Sequence, residues 1–319
     1  MQHFLLSTQA RSLSLKTVFR MSEDEAYQHF CQLRWPETDG EAVCPKCGCA
    51  ETYNITSRRR FKCVACHHQF SVTSGTIFAS RKLSFVDLLA AIVIFVNGAK
   101  GVSALQVSRD LDVQYKTAFV LSHKLREAMA LEQQNRRLDG VVEIDGAYFG
   151  GHVKPANVKA ERKDRRLAEN RNGKRQCVVV MRERGGKSLP FVVRNEGEAV
   201  PIARQRISPQ AIIHADEGTG WDVMYGIWET KRINHSVRYS SDTACTNQAE
   251  SFFSRLRRME VGTHHHIAGQ YLHAYAGEAS WREDNRRISN GSQAMLVGES
   301  AMASAVSRQW AGYWQRRAA

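Results

Sequence analysis

Two Cys-x-x-Cys pairs, Cys44-Pro45-Lys46-Cys47 and Cys63-Val64-Ala65-Cys66, stand 15 residues apart in the first quarter of a 319-residue chain. That spacing dictates a pair of metal knuckles. Each turn offers two thiolates to one ion, and two turns complete a tetrahedron, the arrangement Zn²⁺ prefers. Gly48 follows the first pair and supplies the positive φ that such a turn often requires. Between the knuckles, Tyr53-Asn54-Ile55-Thr56 and Arg60-Phe61-Lys62 are expected as short strands around a turn. A ribbon this small buries little core, so its metal is structural. Cys31, Cys49, Cys177 and Cys245 are scattered. The pattern is not a disulfide framework and fits a reducing, cytoplasmic setting.

The chain carries 45 Lys and Arg against 32 Asp and Glu, a net charge of +13. Such a balance points to a polyanionic partner. A membrane-spanning role is not expected, because no segment reaches the roughly 18 apolar residues that a span needs. The most apolar stretch, Leu88–Val96, is flanked by Asp87 and Asn97 and reads as a buried helix. Residues 1–20 hold Arg11, Lys16 and Arg20 and no acid, a basic leading segment. In the ribbon, Arg58, Arg59, Arg60 and Lys62 form a cationic run suited to phosphate contact.

Residues 83–130 read as helical. A helix over Ser103–Leu111, a tight turn at Asp112-Val113 and a second helix over Gln114–Met129 form a helix-turn-helix layout. In the second helix Ala118, Leu121, Leu125 and Met129 recur at spacings of three and four, which defines one buried face. Gln114, Tyr115, Lys116, Thr117 and Lys124 are then candidates to face a DNA groove.

Beyond residue 139 the pattern changes to strands. Val141–Phe149, Gln176–Met181 and Ser188–Val193 are the first three, with Arg184-Gly185-Gly186-Lys187 turning between the last two. A helical stretch near 199–206, a strand at Ala211–Ala215, a fifth strand at Ser236–Ser240 and a helix over Asn247–Met259 follow. This order matches an α/β, RNase H-like core, a mixed sheet with flanking helices. Three acids sit at chemically telling places in it. Asp145 interrupts the apolar first strand, where a charge is costly unless paired or coordinated. Asp216 ends the strand at 211–215, with Glu217 beside it as the weaker candidate; Glu250 lies on the helix 34 residues later. Carboxylates from two strands and a helix can converge on a pair of hard Mg²⁺ ions, which take oxygen ligands and serve phosphodiester chemistry. Arg257 lies two turns beyond Glu250 and Asn247 one turn before it. Residues 150–176 hold nine Lys and Arg against three acids. This insert, with Lys163, Arg165 and Arg166, reads as a DNA-tracking arm.

Several blocks together resemble a family. Arg34-Trp35-Pro36 before the first knuckle, Phe70–Phe78 after the second, Val142–Gly151, and Thr246–Arg258 with Gly262-Thr263-His264-His265-His266 are similar to zinc-ribbon insertion-sequence transposases of the ISXO type. The resemblance covers roughly residues 22–287. It implies a DDE-type transposase that uses Mg²⁺, or Mn²⁺ in its place, to hydrolyse phosphodiesters and transfer a 3′-hydroxyl. Its partners would be the double-stranded terminal repeats of an element and a target duplex, bound by a homo-oligomer in the cytoplasm or on the nucleoid. A DNA-binding regulator that has lost catalysis is the alternative. Asp145 and Asp216 match the two aspartates. The third position is Glu250 by spacing, with Asn247 an adjacent candidate, and Arg257 falls where the family usually has Lys. Gly146 stands where an acidic residue is common. The histidines at 264–266 suit DNA contact or packing. The expected division is a helical leader (1–40), the ribbon (41–80), the helix-turn-helix region (81–135), the catalytic domain (136–290) and a tail (291–319).

Overall fold

The computed structural model describes residues 4–150, 156–163, 173, 175–234 and 245–317. In chain order its elements are helices α1 (Leu15–Val18) and α2 (Glu23–Arg34), then strands β1 (Thr52–Ile55), β2 (Arg60–Cys63) and β3 (Gln69–Phe70). Helices α3 (Phe85–Asn97), α4 (Ala104–Asp110) and α5 (Tyr115–Leu131) follow. Next come strands β4 (Val141–Phe149), β5 (Gln176–Glu183) and β6 (Ser188–Val193), helix α6 (Val200–Arg206), and strands β7 (Ile212–Asp216) and β8 (Glu229–Ile233). Helices α7 (Asn247–Met259), α8 (Leu272–Asp284), α9 (Asn290–Ala303) and α10 (Tyr313–Arg317) complete the order. The elements fall into two compact units, Met1–Glu132 with Asn285–Ala319, and Gln133–Asp284.

In the first unit, α2 starts on a capping box. The Ser22 hydroxyl accepts from the Glu25 N–H (3.2 Å), and the Glu25 carboxylate accepts from the Ser22 N–H (2.7 Å). In the same first turn, the Glu23 carboxylate accepts the N–H groups of Phe85 (2.9 Å) and Val86 (3.2 Å) at the start of α3. Helix α3 is apolar on nearly every side because it is buried on nearly every side, from Phe85 to Val96. Helices α4 and α5 are joined by a short turn in which Asp112 has φ 50°. Ala118, Leu121, Leu125 and Met129 of α5 are all buried, as their periodicity predicts.

The two ends expected as separate pieces are built into this same unit. Helix α2 buries Ala26, Phe30, Cys31 and Leu33, and α9 packs on α2, α3 and α5. Gly298 of α9 lets Leu33 approach closely: a Cβ there would lie 2.8 Å from Leu33 Cδ1. The core face of α9 is Ala294, Val297, Gly298, Ala301 and Met302. Such small residues give a weak apolar signal in sequence, which is why 291–319 reads as a tail.

The second unit is a five-stranded sheet in the order β6-β5-β4-β7-β8. Strands β6, β5 and β4 pair antiparallel, and β4, β7 and β8 pair parallel. Helix α6 and two 3-10 segments, Glu196–Ala199 and Thr219–Gly226, cover one face over Val142, Ile144, Val179, Met181, Ile213 and Trp221. Helices α7 and α8 cover the other over Ala147, Val178, Val180, Phe252 and Leu256. Both faces are covered, so the central strands read as nearly continuous apolar runs. This is the RNase H-like arrangement. The fifth strand differs from expectation: it is β8, and Ser236–Ser240 lies outside the described residues. Edge strand β8 carries Glu229, Lys231 and Arg232, a composition that hides a strand. Most of the basic insert, Arg165 and Arg166 included, also lies outside the described residues; Lys163 is exposed. Among the described residues no helix is long and apolar enough to cross a membrane.

Because Glu23 satisfies the otherwise unpaired N–H groups that open α3, Glu23→Ala is expected to cost about 1–2 kcal/mol of stability. Urea denaturation of the two proteins, compared at unchanged m-value, measures this.

Candidate active site

Side chains alternate across a strand, so Glu143, Asp145 and Ala147 of β4 all face α7. Two adjacent rows of the sheet then carry the site. In the first, Glu143 is flanked by Arg182 on β5 and His214 on β7. In the second, one step along the same face, Asp145 lies opposite Val180 and beside the end of β7, where Asp216 sits.

The first row anchors the helix. Thr246, the cap residue of α7, makes no side-chain capping bond, which leaves the first N–H groups of the helix in need of acceptors. The fully buried Glu143 carboxylate takes two of them, from Gln248 (2.7 Å) and Ala249 (3.0 Å). Negative charge there also meets the positive end of the helix dipole. Glu143 is further paired with Arg184 (3.5 Å). Arg182 donates to the Gln248 side chain (3.2 Å) and to Glu283 of α8 (3.2 Å). His214 Nδ1 accepts the Cys245 N–H (3.2 Å), and burial lowers the pKa of the ring. Glu283 also takes Arg255 of α7 (2.6 Å). One row of the sheet therefore fixes where α7 begins and how it is turned.

That placement brings Glu250 over the second row. Asp145, Gly146, Ala147, Glu250, Phe253, Ser254, Arg257 and Arg258 line a cleft of about 530 Å³. Asp216 acts on it electrostatically. The Asp145 pKa is pushed up to about 7, first by burial and then by the charges of Asp216, Glu250 and Glu196. Asp145 Oδ1 accepts the Gly146 N–H (2.7 Å), and Asp216 Oδ1 accepts the Gly218 N–H (3.0 Å). Arg232 of β8 holds the turn after Asp216, donating to the Asp216 carbonyl (2.7 Å) and to the Gly218 carbonyl. Glu217 is exposed. Asn247 is exposed as well and does not line the cleft; its carbonyl accepts the Ser251 hydroxyl (2.9 Å). Arg257 and Arg258 are exposed at the cleft wall. His264 packs edge-on against Tyr275 (4.6 Å), and His265 and His266 are exposed.

Glu143, Arg182, His214, Arg232 and Glu196 are not among the residues expected from sequence. Glu143 carried the same signal as Asp145, a charge inside an apolar strand, two residues earlier. The donor set around Asp145 is all oxygen, which suits a hard divalent cation and not a soft one. Its oxygens do not close round one point. Among the described residues, only the cysteines bring three or more ligand atoms within 4.8 Å of one another.

Those are Cys44, Cys47, Cys63 and Cys66, with Cys44 and Cys66 Sγ 3.6 Å apart and Cys47 and Cys63 Sγ 3.5 Å apart. The two knuckles are built alike. Gly48 N–H returns to the Cys44 carbonyl (2.9 Å) and His67 N–H to the Cys63 carbonyl (3.1 Å), with φ 74° and 56° at the two turning residues. Four thiols within one shell fit a structural Zn²⁺. Strands β1, β2 and β3 form the antiparallel sheet between and after them. Of the ribbon cations, Arg58 and Arg60 are exposed and Lys62 is half-buried. Arg59 is drawn into an ion pair with Asp24 (2.6 Å) and Glu23 (3.4 Å), so it is less available to a phosphate than its neighbours. On α5, Gln114, Tyr115, Lys116 and Thr117 are exposed, whereas Lys124 is half-buried and burial lowers its pKa. Lys124 follows the packed face rather than the open one. Lys116 lies 5.4 Å over the Trp314 ring.

A four-cysteine ribbon and an RNase H-like sheet with acids at a strand middle, a strand end and the next helix define the architecture of a zinc-ribbon DDE transposase. Residues 137–284 match the ISXO2-like transposase domain family, and residues 21–69 match the transposase zinc-ribbon domain family. The chain belongs to the zinc-ribbon DDE transposases of the ISXO type. Two solved structures are similar to it in part. The Mos1 strand transfer complex is 11% identical, covers 67% of this chain and 78% of that chain, and has a TM-score of 0.22. The Mos1 mariner paired end complex with Mn is 10% identical, with the same coverage and a TM-score of 0.20. No curated protein matches the chain.

Three outcomes are expected. Purified protein should hold one Zn²⁺ per chain and Cys63→Ser should lose it, as read by elemental analysis. Glu143→Ala should cost about 3 kcal/mol, because it strands two helix N–H groups and Arg184 in a buried setting; chemical denaturation measures it. Folded Asp145 keeps its proton up to about 7, whereas its ordinary value is 3.8. In metal-free protein this group therefore lowers stability as pH rises from about 4 to about 7, and the loss persists above 7. Asp145→Asn should relieve it, raising the melting temperature relative to the parent more at pH 8 than at pH 4. The difference is on the order of 4 kcal/mol.

Proposed function

We propose that the chain binds the ends of an insertion sequence and breaks and rejoins DNA there. Phosphodiester hydrolysis would free a 3′-hydroxyl, which then attacks a second duplex. The observation that carries this reading is the pairing of Asp145 and Glu250 at a cleft walled by Arg257 and Arg258, with the charge of Asp216 acting on Asp145 from the neighbouring strand end, in a chain of this family.

Asp145, Asp216 and Glu250 are the residues that would hold divalent cations. Paired Mg²⁺ in such a site supplies activation of the attacking oxygen and stabilisation of the leaving one. The remaining chemistry belongs to the chain. The Glu143, Arg182 and His214 row keeps Glu250 at a set height above Asp145. Arg257 presents a planar fork that can take two phosphate oxygens, where a Lys would offer a point charge. Phe253 and Ala147 form an apolar wall that excludes water from one side. For recognition, Arg58, Arg60 and Lys62 suit phosphates, and the exposed start of α5, Gln114 to Thr117, suits a groove. A strand-transfer reaction joins two ends to a target, so a dimer or larger assembly on DNA is part of the proposal.

Purified protein with DNA carrying its element's terminal repeats tests this. Cleavage at the repeat ends should need Mg²⁺ or Mn²⁺ and fall more than about 100-fold in Asp145→Asn and Glu250→Gln. Asn247→Ala should retain most of it. A protein that binds the repeats but never cuts them with either ion would instead be a transposase-derived regulator.

A further inference from the structure

We propose that Glu196 is a fourth carboxylate of the metal site, reaching the cations from the opposite side to Glu250. The proposal rests on the reading of that site as a divalent-metal centre and adds a ligand to it.

Glu196 opens the 3-10 segment that follows β6, on the face of the sheet covered by α6. It is lodged among three glycines. A Cβ on Gly146 would lie 2.6 Å from Glu196 Cγ and 2.8 Å from its Oε1. A Cβ on Gly220 would lie 3.0 Å from Glu196 Cβ. A Cβ on Gly218 would lie 3.0 Å from Asp216 Oδ1 and 3.5 Å from Glu196 Oε2, so both carboxylates border the same glycine. Gly146 and Gly218 are also the residues whose N–H groups hold Asp145 and Asp216. Two of the three glycines that admit Glu196 are thus the residues that orient the aspartates. Any side chain at 146 would close the space for Glu196.

The chemistry of the pocket points the same way. Among the described residues, none donates a hydrogen bond or an ion pair to the Glu196 carboxylate. Its charged neighbours are Asp216 and Asp145. A half-buried carboxylate set against two others raises the free energy of the protein unless a cation arrives. The glycines leave the space into which the Glu196 side chain turns. Mg²⁺ takes oxygen ligands in a near-octahedral shell and is commonly held through one or two carboxylates. Four carboxylates provide two per ion for a pair.

The test uses the full-length protein without DNA and titrates Mn²⁺, followed by electron paramagnetic resonance and calorimetry. The parent should bind Mn²⁺, and Asp145→Asn should abolish that binding. Glu196→Gln should weaken it at least tenfold or remove one ion from the stoichiometry, with the melting temperature of the metal-free protein unchanged or raised. Gly146→Ala should have the same effect with the charge retained, since the added methyl displaces Glu196. It also serves if Glu196→Gln fails to fold. Unaltered Mn²⁺ affinity and stoichiometry in both variants, with binding lost in Asp145→Asn, would overturn the role of Glu196 and leave the proposed function standing. A parent that binds no Mn²⁺ would overturn both.

Discussion

The buried contact between Glu143 and the start of α7 is the constraint on which the rest of the second unit depends. A fully buried carboxylate is costly in isolation. Here it is satisfied by two helix N–H groups, an arginine and the positive end of a helix dipole. Because Glu143 and Asp145 share a strand and a face, the contact sets the register between Asp145 and Glu250 directly. Removing it would free α7 to shift by a fraction of a turn, and a fraction of a turn displaces Glu250. The two flanking residues of the row, Arg182 and His214, act on the same first turn from the neighbouring strands.

The first unit uses the same device independently. Glu23 of α2 takes the first N–H groups of α3, as Glu143 of β4 takes those of α7. In each case a helix whose own cap leaves donors unsatisfied is located by a carboxylate from another element. The interaction is short-ranged and directional, so it specifies position where apolar packing alone would tolerate sliding. The ribbon achieves the same end with thiolates, since two knuckle turns must present four sulfurs to one point.

Much of this was legible in the sequence because the signals were local. The knuckle spacing, the α5 periodicity and the strands β4 to β7 each show within a dozen residues. Asp145 was visible as a charge in an apolar run. Glu143 was there on the same grounds, but its partners Gln248 and Ala249 lie over a hundred residues away, and no spacing rule connects them. Glu196 sits in a polar Asn-Glu-Gly-Glu stretch, where an acid reads as solvated. Its approach to Gly146 exists only once β4 and β6 share a sheet with β5 between them. Helix α9 was missed for a different reason, since a core face of Ala, Gly and Met is close in composition to a polar linker. Arg59 and Lys124 read as free cations because nothing in a single sequence shows that an acid pair, or a packed helix face, lies against them.

What separates a structural carboxylate from a candidate ligand in this sheet is whether its lone pairs are already taken. Glu143 and Asp145 are two residues apart on one face, with the same local signal. Glu143 commits both oxygens, one to the helix and one to Arg184. Asp145 commits Oδ1 to the Gly146 N–H, and Asp216 commits Oδ1 to the Gly218 N–H. Among the described residues neither has a protein partner for Oδ2. A single N–H bond fixes the orientation of each carboxylate while leaving an oxygen in reserve, and glycine is the residue that allows this at close quarters. Burial and mutual repulsion then push the Asp145 pKa up to about 7, so the charged form of the site is disfavoured and a proton relieves it. A divalent ion of the kind proposed above would relieve the same repulsion that makes the metal-free protein less stable as pH rises.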